Sequence, residues 1–342
     1  MINKLKEWIK QHQIIAFFIL TYLTTWLLLI PFLLAGDKAG ENPLYGIMGL
    51  IGLFAPAIIT IIISRIIAPV PSGNARKKKR ITFLVAWIIA TAIFTFNVKT
   101  SSGIASPVAI VFFAIIGLLP AFIFASAFSK FPEVRKSLSS LVKPKGHIKW
   151  YLFALLFAPV IKLVSIPITN QLGLTVISEP NQVGGLLQLV GLIAVSFSYG
   201  FVFAGGLNEE TGWTGFALSR LQARHSPFIA SIVLWFFWIL WHMPLQIAGL
   251  WNPELDSVIR ALIGTFFARF IFTWLYNKTE GSILPAILLH VSANVSFEFL
   301  PVTHVHMILE ALIAVFIIFK ARMWEKLPSE SPAIYRINKE TA

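Results

Sequence analysis

Long apolar stretches separated by short polar links run the length of this chain. Ten follow one another, at residues 14–35, 45–70, 81–98, 108–128, 150–169, 184–204, 227–247, 257–276, 283–300 and 305–319. A helix rises about 1.5 Å per residue, so runs of about 20 residues match the roughly 30 Å hydrocarbon core of a bilayer. Backbone groups in lipid must be satisfied within the segment, which selects the helix. The pattern predicts an all-α fold, a polytopic transmembrane helix bundle of about ten spans and not fewer than eight. The first run is too long for a signal-peptide core and has no small-residue cleavage site after it, so it is expected to stay as a span. Three regions are expected: N-terminal transmembrane helices at 1–183, a core carrying the candidate chemistry at 184–300, and a last helix with a basic tail at 301–342.

The links alternate in charge. The N-terminus, residues 76–80, 130–149 and 220–224, Lys278 and residues 320–326 are basic. Those around Asp37, Ser102, Glu179, Glu254 and Pro301 are poor in Lys and Arg. By the positive-inside rule both termini are expected in the cytoplasm of a multi-pass plasma-membrane protein. Asn277-Lys278-Thr279 fits a glycosylation sequon but falls on a basic, cytoplasmic link, and is discounted.

Composition sharpens the class. The 342 residues are 57% hydrophobic and 13% charged, with mean hydropathy +0.78. The net charge of +13 sits in the links rather than on one patch, which points to anionic lipid and not to nucleic acid. Cysteine is absent, which removes disulfides, thiolate metal sites and a cysteine nucleophile together. No P-loop, dinucleotide fingerprint or internal repeat is visible.

Against this background a few polar residues are out of place. Glu209 and Glu210 open the stretch NEETGWTGFALSRL at the end of the sixth run. His242 lies in FFWILWHMPL, His290 and Asn294 share one helix face in ILPAILLHVSANVS, and Arg269 lies in the eighth run. From the helical rise, Glu209 lies about 16 Å from Arg220, His242 about 22 Å from Pro227 and His290 about 10 Å from Ile283. These depths let the groups meet, provided the sixth run is interrupted; Gly205-Gly206 is the candidate break. Ionisable groups at such depth are costly and mark function by default. A carboxylate and two imidazoles can hold a zinc ion with a position left for water. Without metal, a Glu–His pair can deprotonate water directly, while a second His and an Asn donate to an oxyanion. Blander readings stand beside these. The acids could neutralise Arg269 and Lys162, His242 could be a packing residue, and His290 with Asn294 an interhelical hydrogen-bonding face. The Trp residues read as interfacial belt and packing, and His304 and His306 as solvated residues of an external link. On these residues alone a transporter using the Glu pair as an ion site also remains open.

The stretches EETGWTGFALSRLQ, WHMPL and GSILPAILLHVSAN, in that order, resemble the CPBP family of intramembrane proteases over residues 205–296. That family includes the type II CAAX prenyl endopeptidases and bacterial proteins of bacteriocin processing and self-immunity. The resemblance implies a glutamate- or metallo-type intramembrane endopeptidase with Glu209, Glu210, His242, His290 and Asn294 as catalytic residues. It implies Glu209 and His242 as water activators, and His290 with Asn294 at the oxyanion. Zinc on Glu209, His242 and His290 stands as an alternative to a metal-free site. A membrane-associated or prenylated peptide is the implied substrate, and a non-catalytic scaffold or immunity-type protein of the same fold is the alternative function. The chain departs from the family pattern twice. Thr214 stands where an Arg is usual, and Trp238 where a Phe precedes the first His. Arg269, from another helix, is the candidate to replace the missing charge beside Glu210.

Overall fold

A computed structural model describes residues 2–36, 43–72, 75–102, 107–247 and 254–336; the links at Asp37 and at residues 103–106 lie outside these. The helices are α1 (Ile2–Gln11), α2 (Gln13–Ala35), α3 (Pro43–Leu53), α4 (Ala55–Ile67), α5 (Arg76–Ser102), α6 (Pro107–Ser126), α7 (Pro132–Leu138) and α8 (Ile148–Gln171). They continue as α9 (Leu186–Val202), α10 (Gly206–Glu210), a π-helical stretch (Thr211–Leu218), α11 (Ser219–Gln222), α12 (Pro227–Trp241), α13 (Met243–Ile247), α14 (Leu255–Lys278), α15 (Leu284–Phe299) and α16 (His304–Lys320). All ten apolar runs form helix. Among the described residues seven helices are long and apolar enough to cross a membrane, or eight if the bent pair α3–α4 is one span. The last two, α15 and α16, have 16 and 17 residues. The only strands among the described residues are β1 (Val176–Ser178) and β2 (Val302–Thr303), an antiparallel pair joining two links at the end opposite the basic ones.

The bend between α3 and α4, 50°, shows how the bundle is tied together. Pro56 has no N–H, so the carbonyl of Gly52 loses its helical donor. Thr25 Oγ1 on α2 donates to that carbonyl at 2.7 Å, and Asn208 Nδ2 on α10 donates to Leu53 O at 3.1 Å. Two carbonyl acceptors at a kink inside the bundle are thus satisfied by side chains of neighbouring helices. The π-helix presses directly on the same spot. A Cβ added to Gly212 would lie 2.6 Å from the Pro56 carbonyl, so only glycine admits this approach.

The N-terminal helices are not a separate shell. Phe17, Phe18, Ile59 and Ile63 pack with Trp213, Phe216, Trp238 and Trp241 in one buried cluster. A second joins α4, α6, α7, α10 and α15, and a third joins α8, α14, α15 and α16. Past α16 the tail returns across the basic end: Tyr335 N donates to Ser219 O at 2.9 Å, and Ala333 is buried in the first cluster.

Two expectations are corrected here. His306 is not solvated: it is 3% exposed and caps the start of α16, its Nδ1 accepting from Thr303 N at 3.0 Å. Lys162 is not neutralised by the Glu pair. It lies 3.8 Å from the Phe297 ring centroid, with Glu310 as the acid whose charge it feels.

Candidate active site

The sixth run breaks where expected. Helix α9 ends at Val202, and Gly205 turns the chain with φ +91°, a left-handed value that penalises any side chain. Asn208 Oδ1 accepts from Gly205 N at 3.0 Å and so anchors the restart, while its amide holds Leu53. The helix then widens into π winding from Thr211, a geometry associated with functional sites. The result is that Glu209 and Glu210 enter the bundle at its centre, 6% and 0% exposed.

The two carboxylates face different partners. Glu209 Oε2 accepts from Trp238 Nε1 at 2.8 Å, and its Oε1 lies 3.8 Å from His242 Nε2. His242 caps the end of α12. Its Nδ1 lies 2.9 Å from the Trp238 carbonyl, an acceptor only, so Nδ1 carries the proton and neutral His242 has its lone pair on Nε2. The last turn of α12 is held from α2, where Tyr22 donates to Phe237 O and Trp26 Nε1 to Trp241 O at 3.2 Å. Trp241 Nε1 in turn donates to Thr25 at 2.9 Å, the residue that closes the α3–α4 kink.

Glu210 is saturated. Its Oε1 accepts from His290 Nδ1 at 2.8 Å, and its Oε2 from Thr214 Oγ1. Arg269 Nη1 lies 3.6 Å from the same Oε2 and donates to Thr214 Oγ1 at 3.4 Å. The cation missing from position 214 is therefore provided by α14, across the bundle, with the threonine hydroxyl relaying between them. His290 Nε2 lies over Gly205; a Cβ there would sit 2.5 Å from it. Asn294, one turn further along α15, is exposed, and among the described residues it has no hydrogen bond to the cluster.

The structure thus brings Glu209, Glu210, His242 and His290 together and leaves Asn294 at the margin. Trp238 and Thr214 join them, although the sequence marks both only as departures from a pattern. The indole N–H is the one readable sign, since a Trp buried among acids needs an acceptor. For zinc, His290 Nδ1 is held by Glu210, which leaves Nε2 as the nitrogen a metal would use, and among the described residues no group of three donors converges on a metal position. No step below passes through a metal.

Fold and site together define a polytopic helical membrane protein with a buried Glu–His centre. A family model described as type II CAAX prenyl endopeptidase, Rce1-like, matches residues 191–296, which hold every one of these groups. Over 265 residues, 72% of this chain and 94% of the relative, the sequence is 30% identical to CAAX prenyl protease 2 of Methanococcus maripaludis. The chain belongs to the Rce1-like CAAX prenyl endopeptidase family, a family of intramembrane peptidases.

Proposed function

We propose that this protein hydrolyses a peptide bond near the C-terminus of a prenylated, membrane-associated protein, using a water activated by Glu209 and His242. One observation carries the reading. Glu209 Oε1 and His242 Nε2 face each other at 3.8 Å while the other polar atom of each side chain is occupied. A water placed there can donate one hydrogen to the carboxylate and one to the imidazole.

Glu209 takes a proton from this water as its oxygen attacks the scissile carbonyl carbon, and His242 holds the second hydrogen. The carbonyl oxygen becomes an oxyanion. His290, with Nδ1–H held by Glu210, offers Nε2 as the second N–H of an imidazolium, and Asn294 approaches from the next turn once substrate fills the site. Collapse of the tetrahedral intermediate breaks the C–N bond. The proton on Glu209 passes to the leaving nitrogen, giving a new carboxylate and a free amine. Glu210, Thr214 and Arg269 touch none of the reacting atoms; they orient His290. Docking of the prenyl chain from the membrane places the peptide at the depth of the Glu pair. We further infer from the alternation of basic and non-basic links that both termini lie in the cytoplasm.

The test is cleavage of prenylated and unprenylated CAAX peptides by purified protein, wild type against Glu209→Gln and His242→Ala, with and without a zinc chelator. Turnover lost in both variants and retained with chelator supports the reading. Chelator-sensitive turnover moves the mechanism to the metal, and no turnover by folded wild type on a broad panel favours a non-catalytic scaffold.

A further inference from the structure

At the basic end of the bundle a cleft of about 380 Å³ opens between the α1–α2 junction, α11 and the returning tail. Lys10, His12, Gln13, Arg220, Arg224 and Tyr335 line it, and among the described residues no Asp or Glu does. Arg220 forms its floor and is 4% exposed. Its guanidinium is stacked 3.5 Å from the Phe216 ring centroid and 3.6 Å from that of Tyr335. Nε donates to Gln13 Oε1 at 2.7 Å and Nη1 to Phe216 O at 3.2 Å, while Nη2 is buried with no hydrogen-bond partner among the described residues. A buried cationic donor left unpaired is costly and calls for an acceptor.

Neighbouring acids answer that call only in part. Glu133 on α7 is the carboxylate whose charge Arg220 feels; its Oε1 lies 3.6 Å from Lys136, and its buried Oε2 and the Tyr335 hydroxyl have no hydrogen-bond partner among the described residues. Glu7 pairs with Lys10 at 2.9 Å. Burial pushes the Tyr335 phenol up to about 12, so it stays neutral and adds no negative charge. Arg224 is exposed and has no ion pair among the described residues. His12 Nδ1 is 3.1 Å from Trp8 O and donates there.

The helix beside the cleft fixes its level. On α1, Ile2, Leu5 and Trp8 are exposed at 68%, 58% and 38%, three residues apart, with Lys4 and Lys6 between them and Lys10 after. An apolar stripe of this kind flanked by lysines suits a helix lying in the headgroup layer. Ile14 and Ile15 also line the cleft, with Ile15 51% exposed, and they offer an apolar rim on the bilayer side.

We propose that this cleft binds a phosphate-bearing anion, supplied by the headgroup of an anionic phospholipid, at the foot of the helix that carries Glu209 and Glu210. The guanidinium fork of Arg220 and the freer Arg224 suit phosphate oxygens, and basic pockets between spanning helices suit such headgroups. The apolar rim favours a lipid over the free ion. The site is independent of the hydrolytic reading and of which face of the membrane it meets.

The experiment measures binding by thermal unfolding of full-length protein in neutral detergent, titrated with phosphatidylglycerol, phosphatidylcholine or inorganic phosphate. Wild type is compared with the Lys10→Gln/Arg224→Gln double variant, which leaves the buried Arg220 in place. A saturable rise in Tm with phosphatidylglycerol and a much smaller one with phosphatidylcholine is expected. In the variant the apparent affinity for phosphatidylglycerol is expected to fall about tenfold, equivalent to about 1.4 kcal/mol. Equal responses to the two lipids, or an unchanged affinity in the variant, would overturn the site. A response to inorganic phosphate as strong as to the anionic lipid would overturn the lipid as its source.

Discussion

At the scale of single residues, the two oxygens of Glu209 separate positioning from reaction. Oε2 is fixed by the Trp238 indole, and Oε1 faces His242 Nε2. Replacing Glu209 by Gln keeps the shape and removes the base, so kcat is expected to fall by about 10²–10⁴-fold with little change in Tm. Trp238→Phe restores the family's usual ring but deletes a hydrogen bond to a charged group, typically about 1.5–3 kcal/mol. Its expected signature is a fall in kcat with KM nearly unchanged; a proportional rise in KM would show a packing role instead. Glu210 and Arg269 form a buried unit with Thr214 and His290, and losing one member of a buried pair costs about 3–5 kcal/mol. Arg269→Ala should therefore destabilise or inactivate the protein about as much as Glu210→Ala, and a silent Arg269→Ala, by Tm and by turnover, contradicts the unit.

These residues differ in how far the sequence reveals them. Glu209, Glu210, His242 and His290 stand out because charged and imidazole groups are rare in runs this apolar, and their order carries the family resemblance. Arg269 is visible for the same reason. Thr214 and Trp238 are not, because a threonine relaying a charge across helices, or an indole aimed at a carboxylate, depends on contacts between runs far apart in the chain. The capping role of His306 is local, a capping box with Thr303 at the start of α16, but an imidazole stands where Glu or Gln is the usual signal.

Elements set the depth at which this chemistry sits. The break at Gly205 divides one long apolar run into α9 and a second helix that opens with Glu209 in its first turn and Glu210 just after. Its position is legible from Gly205-Gly206, whereas the π winding after Glu210 is not, because TGWTGFAL shows no local signal for it. Gly205→Ala meets both a positive φ and the His290 ring 2.5 Å from the new Cβ. Strain of this kind costs about 1–3 kcal/mol, and the imidazole must move to relieve it. The expected result is a lower Tm together with a loss of turnover larger than the stability change explains. Wild-type turnover would show that His290 does not need its present place. The α3–α4 kink has a similar standing: Pro56 announces it, but the donors that close it, Thr25 and Asn208, emerge only from packing.

For the whole molecule, the ten apolar runs and the alternating links read directly as a helical bundle, and each run is helical. The return of the tail to Ser219 and the burial of Ala333 are not readable, because the segment looks like any polar end. The absence of cysteine makes sidedness directly testable. Ser178 and Ser329 are both exposed, at opposite ends of the bundle. In intact cells Ser178→Cys is expected to react with a membrane-impermeant thiol reagent and Ser329→Cys only after permeabilisation; the reverse pattern would invert the topology.

The central claim, that Glu209 and His242 activate a hydrolytic water at the heart of a membrane-embedded peptidase, rests most directly on one measurement. Purified protein in lipid is given a prenylated CAAX peptide, and release of its C-terminal fragment is followed for wild type, Glu209→Gln and His242→Ala, with folding of each checked by thermal unfolding. Steady cleavage by wild type and its loss by about two orders of magnitude or more in both folded variants is the expected result. Cleavage that survives Glu209→Gln at the wild-type rate would contradict the account.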